Sequence, residues 1–125
     1  MSKTVLHWSY RDFKHIPIDL IYYDEQLEEI YLKENFITKI PEWLLQLTNL
    51  KFIHLAGNAI DEIPIEIYLL ENLEFLDVSN NCLTNIPETI GDMKSLQSFN
   101  ISGNILEAIP NSNYILYRII LLMIF

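Results

Sequence analysis

The sequence predicts an α/β solenoid, with a curved parallel β-sheet on its concave side and short helices or irregular turns on its convex side. Three observations carry that prediction. Apolar residues repeat with a period of 23, marked by Leu27, Leu50, Leu73, Leu96 and Ile119. An asparagine recurs at one place of the repeat, as Asn35, Asn58, Asn81 and Asn104. An Ile-Pro pair closes the first half of each unit, at Pro41, Pro64, Pro87 and Pro110, and the remaining proline, Pro17, falls at the same place in an earlier unit. Self-similarity at a fixed period of this size is the signature of stacked coils and overrules any local reading.

Residues 1–26 form a degenerate first unit built on Leu6, Trp8, Phe13, Ile16 and Leu20, with Arg11 where the asparagine should stand. It reads as an N-terminal cap. Residues 27–110 hold the regular repeats. In Leu27 to Leu32, Ile30 and Leu32 point one way while Glu29, Tyr31 and Lys33 point the other, as in a half-buried strand. The inward pairs recur as Ile53 and Leu55, Leu76 and Val78, and Phe99 and Ile101. One full coil separates successive strands, so they run in the same direction and stack as a parallel sheet. The asparagine amide has donors and an acceptor, which suits a buried loop whose main chain has no ladder partner. Asn35, Asn58, Asn81 and Asn104 are therefore expected to form a structural ladder. After each proline, apolar residues at spacing three (Leu44 and Leu47, Ile67 and Leu70, Ile90 and Met93) predict a short helix.

Residues 111–125 form an apolar tail in which the pattern largely dissolves. Asn113 occupies an apolar place, although Ile119, Leu122 and Ile124 keep the register of a further strand. Two readings stand together: a makeshift cap on the last repeat, and a truncated array. Arg118 interrupts the run, which is shorter than the roughly 20 apolar residues that span a bilayer, so a membrane anchor is disfavoured.

The pattern L-x-x-L-x-L-x-x-N-x-L-x-x-I-P-x-x-I-x-x-L, as it stands from Leu27 to Pro110, resembles the leucine-rich-repeat superfamily in its intracellular Ras-pathway-scaffold class. The resemblance covers roughly residues 3 to 110 and rests on many places recurring in register. It implies binding on the concave face and work as a protein-interaction module or scaffold, with signalling as the expected setting. A second reading makes the chain the recognition segment of a larger enzyme, such as a ligase, kinase or phosphatase complex.

On that face the outward strand places read Val5, Glu29, Phe52, Phe75 and Ser98 in one column, and His7, Tyr31, His54, Asp77 and Asn100 in the next. Phe52 and Phe75 are expected on adjacent strands with Tyr31 and His54 nearby and Glu28, Glu29, Glu34, Glu74 and Asp77 around them. An exposed aromatic pair ringed by charge has the make-up of a binding hot spot with its rim. The competing reading is that neighbouring rings stack on an otherwise idle sheet. The candidate partner-binding residues are thus Glu29, Tyr31, Phe52, His54, Phe75 and Asp77.

Charge and motifs limit the alternatives. Seventeen acidic residues against eight Lys and Arg give a net charge of −9, which repels phosphate backbones and favours a protein partner with a basic surface. His7, His15 and His54 lack the close spacing that metal ligands usually show, so neither a metal nor another cofactor is expected. The lone Cys82 reads as an idle or structural thiol, and no catalytic residue is expected. Gly57, Gly91 and Gly103 stand apart, without a phosphate-binding loop. Lys33-Glu34-Asn35 spells a degradation signal, but the ladder already requires Asn35; Asn100-Ile101-Ser102 matches a glycosylation triplet by chance. With one cysteine and no apolar leader at Met1 to Trp8, the expectation is a monomer in the cytoplasm.

Overall fold

The computed structural model describes residues 4–109. The apolar calls on Pro110, Ile119, Leu122 and Ile124 lie outside these residues. Alternation at the strand places produces five short strands, β1 (Thr4–His7), β2 (Leu27–Tyr31), β3 (Phe52–His54), β4 (Phe75–Asp77) and β5 (Ser98–Asn100). They pair in chain order, all parallel, in one sheet. The register is the repeat itself: Glu29 faces Phe52, Phe52 faces Phe75 and Phe75 faces Ser98. Between β1 and β2 it is shifted by a bulge, so Val5 faces Glu29 at a spacing of 24.

The inward columns form the core. Leu27, Leu50, Leu73 and Leu96, with Ile30, Ile53, Leu76 and Phe99, are all buried. So are Leu32, Leu55, Val78 and Ile101. Burying a side chain of this size is worth about 1.5–3 kcal/mol, but only against a neighbouring coil, because one coil has two open faces.

After Pro17, Pro41, Pro64 and Pro87 the chain makes a 3-10 helix and not an α-helix: Ile18–Tyr23, Glu42–Gln46, Ile65–Leu69 and Glu88–Asp92. The cause is in the sequence. Apolar residues three apart match a helix with three residues per turn, and i to i+3 bonds such as Leu44 N–H to Pro41 O (3.1 Å) and Leu47 N–H to Leu44 O (3.0 Å) result. Proline fits at the start because its missing N–H has no acceptor there.

The loop that leaves each strand is held by the asparagine ladder. Asn81 is 8% exposed; its Oδ1 accepts from Ile60 N–H of the preceding coil (2.9 Å), and its Nδ2 donates to Leu55 O of that coil and to Val78 O and Ser79 O of its own (each 3.0 Å). Asn35, Asn58 and Asn104 repeat this scheme one coil apart. Arg11 stands at the first member's place. It has no described coil before it to bridge to, and its own main-chain N–H donates to Asn35 Oδ1 (2.9 Å).

The residue before each ladder position has positive φ in every coil: Tyr10 (59°), Glu34 (54°), Gly57 (74°), Asn80 (54°) and Gly103 (71°). Gly57 and Gly103, which stand apart in the sequence, therefore share one structural duty. A Cβ at Gly57 would run into the Glu34 carboxylate, and one at Gly103 into the Asn80 amide. Left-handed backbone costs a residue with a Cβ about 1–2 kcal/mol, which asparagine tolerates best and glycine avoids.

Two stability predictions follow from these columns. Asn81→Ala leaves the buried Ile60 N–H without its acceptor and removes one of the bonds accepted by Leu55 O, Val78 O and Ser79 O, and is expected to lower unfolding free energy by at least about 2 kcal/mol in urea titrations, whereas Arg11→Ala changes it by less than about 0.5 kcal/mol. Equal effects at the two positions would refute the bridging role. Glu34→Gly relieves left-handed strain and is expected to stabilise by about 0.5–1 kcal/mol after the added unfolded-state freedom is subtracted, while Gly57→Ala destabilises. The same titrations check both signs.

Candidate concave-face site

The register of the five strands lays the two outward columns side by side, and aromatic rings meet across them. His7 stacks on Tyr31 (centroids 4.8 Å apart, planes at 11°), and Tyr31 stacks on His54 (4.1 Å, 8°). His54 then leans on Phe75 (5.2 Å, 34°), and Phe75 meets Phe52 at 6.2 Å. The chain has placed a continuous run of five rings across four strands, since parallel neighbours in register stand close enough for side chains of one column to touch.

Polar groups fix this run in place. Glu29 Oε1 lies 3.0 Å from His54 Nε2, with both side chains largely covered. The same carboxylate is a hydrogen-bond partner of Tyr31 and raises its phenol above the usual tyrosine value, with partial burial and the carboxylate's charge adding to the effect. Lys51 Nζ reaches Glu28 Oε1 at 3.4 Å on the flank of the sheet. Asp77 Oδ1 accepts from Ser79 N–H (2.9 Å) and Ser79 Oγ–H (2.7 Å), a local turn that Asn100 repeats with Ser102.

All six candidate residues, Glu29, Tyr31, Phe52, His54, Phe75 and Asp77, therefore lie together on β2, β3 and β4. Two expectations need correction. Phe52 and Phe75 are half-buried, because each covers the other and His54 covers Phe75. Glu34 stands off the ring of acids, exposed on the loop after β2 and against Gly57. His7 belongs to the run although sequence reasoning left it out of the site; its place two residues before Ser9, in the same column as Tyr31, was the available signal. The Asp77-x-Ser79 and Asn100-x-Ser102 pairs likewise announced turns that tie up one carboxylate or amide oxygen. Among the described residues no group of three His, Cys, Asp or Glu side chains is arranged to hold a metal ion, and Cys82 is an exposed free thiol. No helix among them is long and apolar enough to cross a membrane.

A family model described as leucine-rich repeats in two copies matches residues 25–66 and 71–114, more than half of the chain. The chain belongs to the leucine-rich-repeat family. Its structure is similar to that of a leucine-rich-repeat protein of Leptospira interrogans, with 36% identity over 79% of this chain and 25% of that one, at a TM-score of 0.73. It is also similar to the leucine-rich-repeat ectodomain of the receptor kinase SOBIR1 from Arabidopsis thaliana, with 29% identity over 89% of this chain and 58% of that one, at a TM-score of 0.64. A third likeness, at 28% identity and a TM-score of 0.63, is to a chain of the BIR3–SERK2 complex from the same plant, covering 69% of this chain and 48% of that one. The chain thus spans between a quarter and somewhat over half of these proteins' lengths. No curated protein matches it. The fold is one that commonly serves as a protein–protein interaction module and is typically non-catalytic.

The Tyr31 environment sets a sign for pH dependence. Its folded value lies above the unfolded value near 10, so its contribution to stability is full below pH 10 and is lost as pH rises through the folded value. Melting curves between pH 9 and about 12 should fall less steeply for Tyr31→Phe than for the parent, and Glu29→Gln should bring the Tyr31 titration, followed by NMR, back toward 10. An unchanged titration in that variant would exclude the carboxylate as the cause.

Proposed function

We propose that this chain is a non-catalytic scaffold module that binds a partner protein on its concave face, through the ring run His7, Tyr31, His54, Phe75 and Phe52. The observation that carries this reading is the continuity of that run beside Glu29 and Asp77. Half-exposed rings next to carboxylates suit an arginine or lysine of the partner, whose apolar stem packs on the rings while its charge meets a carboxylate. The chain's net charge of −9 favours encounter with a basic surface in the same direction. The rings are already held by one another and by Glu29, so little side-chain freedom is lost on binding. In this reading the module works as a monomer in cytoplasmic signalling complexes, as its resemblance to Ras-pathway scaffolds suggests.

The share of each similar protein that the chain covers favours a second reading, in which it is the recognition segment of a larger enzyme. A longer transcript encoding a catalytic domain in frame with these repeats would support that reading over the first.

The test is affinity capture from cell lysate with the full chain beside a Phe52→Ala, Phe75→Ala double variant, both shown by circular dichroism to be folded. Partners captured by the parent should bind the variant at least about tenfold more weakly, the loss of 1.4 kcal/mol or more expected of a truncated hot spot. Their binding should also weaken with salt. Identical partner lists and affinities would remove the function from this face.

A further inference from the structure

A groove runs across the first four coils, between the sheet and the 3-10 turns. Three hollows of about 420, 90 and 470 Å³ make it up. The first two share Lys39 and Ile40, and the last two share Glu62, so they join in one line. The column of Ile-Pro pairs is its floor: Ile16, Ile40 and Ile63 are buried, and Pro41 and Pro64 are half-buried.

Free main chain and charge state what such a groove takes. In the sheet and through the asparagine ladder each coil bonds to the next. Among the described residues, by contrast, the main chain of Lys39, Ile40, Glu62 and Ile63 makes no hydrogen bond. Those N–H and C=O groups are left to water or to a ligand. The exposed side chains of the same stretch change sign along the line, with Lys14 and Lys39 in the first two coils and Asp61 and Glu62 in the third. Glu42 also borders the first hollow. Among the described residues Lys39, Asp61 and Glu62 form no ion pair, so their charges are open to a partner.

We propose that this groove is a second docking site, which takes an extended segment of a partner protein with an acidic residue against Lys39 and a basic residue against Asp61 and Glu62. An extended segment supplies main-chain donors and acceptors to the free groups of the floor, and small apolar side chains between its charges pack on Ile40, Pro41 and Pro64. Paired coils stand about 4.8 Å apart, and residues two apart on one face of an extended segment are about 6.6 Å apart. Opposite charges two residues apart therefore reach Lys39 and Glu62 together. A segment of one sign meets attraction at one end and repulsion at the other, which selects a mixed sequence over a purely basic one. The inference stands apart from the ring site and survives or fails without it.

The test is an NMR titration of the full chain, at physiological salt, with three capped peptides: Ala-Glu-Val-Lys-Ala, Ala-Glu-Val-Glu-Ala and Ala-Lys-Val-Lys-Ala. The mixed peptide should bind about threefold or more tighter than either single-sign peptide, the size of an exposed charge pair. It should shift the amides of Lys39, Ile40, Glu62 and Ile63. Lys39→Glu, at an exposed position that leaves the core intact, should reverse the order so that the all-basic peptide binds best. Tightest binding of the all-basic peptide to the parent would mean attraction to net charge alone and would overturn the site. Shifts centred on His54 and Phe75, or no shifts with any peptide, would overturn it as well.

Discussion

Everything in this fold depends on main-chain hydrogen bonding between consecutive coils. A short strand and a loop of this kind cannot satisfy their own N–H and C=O groups, and the apolar face of one coil has no interior until another coil covers it. Asn81 shows the arrangement most fully, since its one amide reaches Leu55 O and Ile60 N–H behind it and Val78 O in its own coil. The amide replaces a strand partner at the point where the chain turns away from the sheet. The period of 23 is therefore a geometric requirement as much as a sequence habit, because every bond of this kind must find its acceptor one coil on.

The concave face inherits its pattern from that requirement. Residues one period apart become lateral neighbours, so a column read down the sequence becomes a row of touching side chains. His7, Tyr31 and His54 form such a row, with planes within 11° of parallel. Glu29 then ties Tyr31 and His54 together from the adjoining column. The rings are packed against one another in the chain by itself, so their positions are set by the stacking and by Glu29.

Much of this was legible from residues alone. The leucine, asparagine and proline columns specified strands, ladder and turns, and they did so at the right places. Other features were hidden for particular reasons. The left-handed position before the ladder was masked because Tyr10, Glu34 and Asn80 share it with Gly57 and Gly103, so no single residue type marks it. The convex turns were legible as helical but became 3-10, a choice already present in the spacing of three. That Glu29, Tyr31, Phe52, His54, Phe75 and Asp77 stand on neighbouring strands followed from the columns, yet their bonding did not. That Glu29 would reach His54, 25 residues away, depends on side-chain rotamers that no spacing rule fixes.

The bonds between coils all lie along the long axis of the solenoid, and this gives the molecule a mechanical character distinct from its stability. Under tension between its two ends the interfaces are in series, so each carries the whole force and only a few bonds resist at a time. Such a body yields by peeling, coil after coil, and not by a single shear. A solenoid built this way can lengthen under load while the coils not yet reached keep their partners.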